Sequence, residues 1–129
     1  MSATDNAISV AQAAAQAAAD KMGTDIVAFD VSEQLAITDI FLVVSAASER
    51  QVGAVVDGVE EALLKQKLKP TRREGDRENR WVLLDYVDVV VHVQHEEERS
   101  MYSLERLWKD CPRIELNLQE PAEEQGKDA

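Results

Sequence analysis

The stretch Arg80-Trp81-Val82-Leu83-Leu84-Asp85-Tyr86-Val87-Asp88-Val89-Val90-Val91-His92-Val93 holds two apolar runs on either side of an acidic and aromatic interruption. Branched and aromatic side chains fit a pleated, half-buried surface, and Asp85, Tyr86 and Asp88 break the run where a reversal is expected. The pattern predicts a buried β-hairpin. Trp81, Asp85, Tyr86, Asp88 and His92 stand out against neighbours that are almost all Val or Leu. Each must find a partner inside the fold or face something outside it.

Just before the hairpin lies the one basic region, with Lys65, Lys67, Lys69, Arg72, Arg73, Arg77 and Arg80 set against Glu74, Asp76 and Glu78. The lysines suit the C-terminal end of a helix. Arg72, Arg73 and Arg77, around the Glu74-Gly75-Asp76 turn, are candidates for a minor contact with RNA. Further back, Ser48-Glu49-Arg50-Gln51 has capping-box spacing, and Val52, Val55, Val56, Val59, Ala62 and Leu63 form one apolar helix face that Pro70 must end. Residues 39–45, with Ile40, Phe41, Leu42, Val43 and Val44, predict a strand buried on both faces. Residues 25–31 predict another strand. Residues 8–22 are nearly continuous alanine, a helix by propensity, with Gly23 as its stop.

Beyond the hairpin, Gln94-His95-Glu96-Glu97-Glu98-Arg99 leads into residues 100–109, where Met101, Tyr102, Leu104, Leu107 and Trp108 have the spacing of a short amphipathic helix. Pro112 closes it. Ile114, Leu116 and Leu118 alternate with polar residues, as an edge strand or an extended segment would. A strand, a helix and a further strand in that order imply a crossover within a mixed β-sheet flanked by helices, an α/β fold. The expected organisation is a loose N-terminus over 1–7, a domain over 8–118, and a disordered acidic tail over 119–129.

At 129 residues the chain suits one domain. No run approaches the roughly 20 apolar residues that a membrane span needs, and no leader pattern opens the chain, so the expected location is cytoplasmic. Cys111 stands alone, which excludes an intrachain disulfide and a cysteine-based zinc site. The formal charge of −11 argues against a protein whose main task is gripping nucleic acid. It suits a basic partner, or solubility alone, and both readings stand.

The best enzymatic candidate is His92 with His95 and Glu96, Glu97 and Glu98, residue types that bind divalent metals. An odd spacing on a strand sends His92 and His95 to opposite faces, so no metal centre is expected. Asp85 and Asp88 suit a turn as well as an acid pair. There is no glycine-rich phosphate loop followed by lysine and no nucleophile elbow. Neither an enzyme nor a cofactor is expected. Two other classes remain open, an enzyme and an acidic adaptor for some basic protein.

Three segments together resemble the ribosomal silencing factor, or Iojap, family. They are residues 39–55 with Ser48 and Arg50-Gln51-Val52; Glu74-Gly75 followed by Trp81-Val82-Leu83-Leu84-Asp85-Tyr86 and Asp88-Val89-Val90-Val91-His92-Val93; and Glu97, Arg99, Tyr102, Leu104-Glu105 and Leu107-Trp108. The resemblance implies a fold similar to nucleotidyltransferases without their catalytic residues. It further implies binding to the large ribosomal subunit through large-subunit ribosomal protein fourteen, a block on joining of the small subunit when nutrients are short, and a homodimer when free. The partner-binding residues it implies are Trp81, Asp85, Tyr86, Asp88, His92, Glu97, Arg99 and Tyr102. Four positions depart from the family pattern: Val87 replaces a common Gly, Gln94 an aromatic, Ile40 a Tyr and Glu96 a Pro. Valine is strained at positive φ, so the turn at Val87 is expected to take another conformation.

Overall fold

Two valine-rich strands, Ile40–Ala46 (β2) and Val89–His95 (β5), lie parallel at the centre, in register from Ile40 beside Val89 to Ala46 beside His95. Both are buried almost throughout, as strands covered on two faces must be. The computed structural model describes residues 2–119. Around this pair, Thr24–Asp30 (β1), Arg72–Glu74 (β3), Trp81–Asp85 (β4) and Arg113–Ile114 (β6) complete a mixed sheet of order β3-β4-β5-β2-β1-β6. The hairpin expected from the sequence is β4 and β5, with Trp81 opposite Gln94 and Asp85 opposite Val90.

Strand periodicity divides the sheet into two faces. Ile40, Leu42, Val44, Val82, Leu84, Val89, Val91 and Val93 join the main core under two helices, Asp5–Asp20 (α1) and Glu49–Leu64 (α2). The small side chains of Ala7, Ala11, Ala14, Ala15 and Ala18 let α1 lie close against that core. On the other face, Phe29, Val31, Val43 and the buried thiol of Cys111 form a smaller cluster, joined by Phe41, Leu104 and Trp108. A mixed sheet flanked by helices is therefore the fold, as expected.

The local signals work with changed details. Gly23 does end α1: its N–H bonds to Ala18 O at 2.8 Å while Met22 N–H bonds to Ala19 O. The left-handed residue of this cap is Met22, at φ 68°. Gly23 is needed for space, because a Cβ there would sit 2.7 Å from Val44 Cγ1. Ser48 Oγ caps α2 by accepting from Gln51 N–H at 3.1 Å. The Gln51 side chain does not complete the capping box and donates instead to Lys21 O, tying α2 to the end of α1. The end of α2 comes before Pro70, with Lys67 left-handed at φ 66° and Leu68 N–H bonded to Leu63 O.

Two boundaries need correction. The segment expected to be loose, 1–7, already contains the start of α1: Thr4 is its N-cap, Ala3 N–H donates to Asp30 Oδ2 and Thr4 N–H to Asp39 Oδ2. Burial pushes the Asp30 carboxyl up, but hydrogen bonds from Ser32 and Ala3 outweigh it and hold it below the usual range. The single helix expected over 100–109 is two short ones, Glu96–Met101 (α3) and Leu104–Leu107 (α4). The glutamate run forms the first turn of α3, where negative charge is favoured, and Ser103 Oγ caps α4. After β6 the chain is extended on α1. There Gln12 exchanges two hydrogen bonds with the backbone of Asn117, and Gln16 two with Gln119. The tail expected over 119–129 lies, apart from Gln119, outside the described residues.

Candidate functional site

The sheet face away from α1 and α2 carries a continuous row of rings. Trp108 meets Phe41 edge-on at 5.4 Å between centroids, Phe41 meets His92 at 4.9 Å, His92 meets Trp81 at 6.2 Å, and Trp81 meets Tyr102 at 5.7 Å. Strand alternation sends Trp81, His92 and Phe41 to this side, and α3 and α4 deliver Tyr102 and Trp108 to its ends. Tyr102 is 51% exposed and Trp81 is half-buried, while His92 is only 5% exposed. Trp81 Nε1–H donates to His92 Nδ1 at 3.2 Å, which leaves the imidazole proton on Nε2. Burial holds the His92 pKa down to about 4, so the ring is neutral near pH 7.

Acidic groups rim this row. Arg80 is gripped by Glu49, Glu97 and Glu98 at 3.1, 2.8 and 3.3 Å. The bond from Arg80 lowers the Glu97 pKa, and Glu97 remains exposed. At the far end of β4, Asp85 Oδ1 accepts from Val87 N–H at 2.8 Å, and Asp88 is exposed beside it. Contrary to expectation, Val87 takes the left-handed conformation, at φ 73°. Asp88 N–H bonds back to Tyr86 O across it, making a three-residue γ-turn, and Tyr86 N–H bonds to Val89 O. The Asp85 carboxylate and this pair of backbone bonds hold Val87 where glycine would sit without strain.

Several expected contact residues have other placements. Tyr86 does not project from the hairpin tip; its ring packs on the helix-side core. Burial and then the Glu60 charge push its hydroxyl up to about 12. Arg99 is 8% exposed and faces inward. It donates to Ser45 Oγ, Asp25 O and Glu105 Oε1 at 2.8, 2.7 and 3.0 Å, which pins α3 to the sheet. The basic region is largely neutralised within the chain: Arg72 pairs with Glu74 and Asp85, and Arg73 with Glu60 and Asp76. Among the described residues Arg77 alone of the three expected RNA contacts has no ion pair. His95 is turned to capping, its Nδ1 accepting from Glu97 N–H. No three His, Cys, Asp or Glu side chains converge as a metal site among the described residues.

Sequence reasoning missed a cavity of about 330 Å³ between the hairpin and the loop that joins β1 to β2, lined by Leu35, Ile37, Phe41, Leu83 and Val90, with Thr38 and His92 in its wall. The available signal was Leu35-Ala36-Ile37, an apolar run in the segment between the two strands.

These features define an α/β domain whose sheet face away from α1 and α2 carries a row of rings with acidic residues at its edge. The model of a family described as ribosomal silencing factor during starvation matches residues 4–129. The chain is 41% identical over 105 residues to the ribosomal silencing factor RsfS of Halalkalibacterium halodurans, covering 81% of this chain and 90% of that one. It is 39% identical over 113 residues to RsfS of Bacillus subtilis, covering 88% and 96%. A crystal structure of a Chromobacterium violaceum protein superposes with a TM-score of 0.76 at 33% identity, covering 78% of this chain and 84% of that one. The chain belongs to the ribosomal silencing factor family.

Proposed function

We propose that this protein represses translation in the cytoplasm by docking on the large ribosomal subunit through large-subunit ribosomal protein fourteen, so that the small subunit is kept from joining when nutrients are limiting. Family membership supports the ribosomal target. The observation that carries the docking surface is the ring row from Tyr102 to Phe41, open on one side of the sheet, with exposed Asp88 at its rim beside Asp85 and Glu97, which are paired with Arg72 and Arg80. Aromatic side chains make anchors at interfaces, and an exposed carboxylate such as Asp88 helps steer a basic partner. The silencing is steric: the bound domain occupies the joining face, and no chemical step is involved. Arg77 is the residue left for a minor contact with ribosomal RNA. In the free protein the same face is available to a second copy, so a homodimer and the docked form exclude each other.

Removing one anchor of this kind costs about 2 kcal/mol, close to a thirtyfold loss of affinity. Trp81→Ala is expected to produce that loss in co-sedimentation with large subunits, and Asp88→Arg a smaller one by opposing the basic partner. Both variants should also restore subunit joining in a light-scattering assay. Parent-like co-sedimentation and parent-like inhibition of joining by both variants would remove the contact from this face.

A further inference from the structure

The cavity beside the hairpin has features that the ring row does not explain. Its walls are Leu35, Ile37, Phe41, Leu83 and Val90, yet two further residues that line it, Thr38 and His92, each carry a buried side-chain polar atom, Oγ1 and Nε2, that has no hydrogen-bond partner among the described residues. A buried polar atom without a partner is costly, and such atoms mark places where something else completes the bonding. With Nδ1 taken by Trp81, His92 offers Nε2–H as a donor. It remains a neutral donor near pH 7, since burial holds the ring's pKa far below that.

Charge and exposure narrow the occupant. Among the described residues the charged ones lining the cavity, Arg72 and Asp85, face each other at 3.8 Å, so the mouth offers little net charge and favours an uncharged group. A volume of about 330 Å³ lies at the low end of ligand pockets and admits one large side chain with a short piece of its backbone. The mouth is flanked by Ile37, 83% exposed, and Val87, 51% exposed. A small molecule seated inside would leave both in water. A protein surface laid across the mouth buries them, and the mouth is continuous with the docking face through Phe41 and His92.

We infer that the docking partner inserts one uncharged, apolar side chain into the cavity between the β1–β2 loop and the β4–β5 hairpin, with a neighbouring carbonyl or hydroxyl oxygen accepting from His92 Nε2–H. This rests on the docking reading above and names the part of the partner that this face recognises. The ring row supplies area, and the cavity supplies register. Because the donor is fixed by Trp81, the two parts of the site are coupled: Trp81 holds the tautomer that the cavity presents.

The test uses the full chain with purified large subunits. Ile37→Asp puts a charge at the mouth of the cavity, and Leu83→Trp fills its strand wall; Tyr102→Ala, outside the cavity, reports on the ring row alone. The expected result is a loss of affinity of roughly tenfold or more for both cavity variants, with melting temperatures near the parent's. If both cavity variants bind like the parent while Tyr102→Ala weakens binding, the cavity inference falls and the docking reading stands. If Tyr102→Ala and Trp81→Ala also bind like the parent, the docking reading falls with it. Should Leu83→Trp melt early, Ile37→Asp at its exposed position decides the matter. The hydrogen bond has its own readout: titration with isolated large-subunit protein fourteen should shift the His92 Nε2–H proton resonance downfield, and a resonance that stays in place while the protein binds overturns the proposed acceptor.

Discussion

On one side of the sheet, Ile40, Leu42, Val44, Val91 and Val93 meet the alanine and valine stripes of α1 and α2. On the other side, alternate positions of the same two strands place Phe41, Ser45, Val90, His92 and Gln94. The first side is a close-packed core in which, among the described residues, one buried side-chain polar atom, the Tyr86 hydroxyl, has no hydrogen-bond partner. The second side carries four such atoms among the described residues, at Thr38, His92, Gln94 and Trp108, and covers itself only in part with α3 and α4. An isolated domain gains nothing from such a face, whereas one that must present a shaped surface to a partner retains it. On the proposed docking reading, stability is concentrated on the helix side and recognition on the other.

A matched pair of leucines tests that division most severely. Leu42 is fully buried on the helix side, and Leu83 is half-buried on the open side. Leu42→Ala should cost about 3 kcal/mol in urea unfolding, through lost burial and the cavity left behind, while Leu83→Ala should cost about 1 kcal/mol or less. Equal losses would mean that the open side contributes to stability as the helix side does.

Acid titration gives the next largest effect, and its sign follows from His92. Its folded pKa of about 4 lies below the ordinary value near ~6.5, so between these limits the unfolded chain binds a proton that the fold refuses. Stability should therefore fall as the pH drops from about 6.5 to about 4, by up to roughly 3 kcal/mol at the acid end. His92→Gln should flatten that slope in unfolding experiments at pH 7, 6 and 5. A parent and variant with the same slope would place the pH dependence in other groups and free His92 of its burial cost.

The helix side was legible in the sequence because its causes are local and repeated. Alanine density in α1, the three-and-four spacing of valines in α2, and unbroken branched residues in β2 and β5 each follow from periodicity. The open side depends on partners far away in the chain. Arg99 becomes internal because Ser45 and Asp25 receive it, and no spacing around Arg99 announces either. Tyr86 is the exception: it follows Val82 and Leu84 to the helix side by strand alternation, which the sequence did carry, while the γ-turn leaves Val87 in the exposed place. The break between α3 and α4 rests on Ser103 acting as a cap, which a serine within an apolar pattern does not reveal. The ring row itself joins residues from β2, β4, β5, α3 and α4, so only its members were visible, never their order.

The smallest expected effect concerns the tip of the hairpin, where the two sides meet. Val87 at φ 73° pays a steric penalty on the order of 1–3 kcal/mol for a branched side chain in the left-handed region, and glycine would remove it. Glycine also loses more backbone entropy on folding, by roughly 0.5–1 kcal/mol, so Val87→Gly should stabilise the domain by about 1 kcal/mol. Its effect on docking has the opposite sign. Val87 is half-exposed at the cavity mouth, and removing its side chain takes away apolar surface that the partner would cover. A variant that melts higher and binds large subunits more weakly would show that the strained valine is retained for contact. A variant that melts higher and binds equally well would confine Val87 to the turn and move the rim of the docking surface back to Ile37.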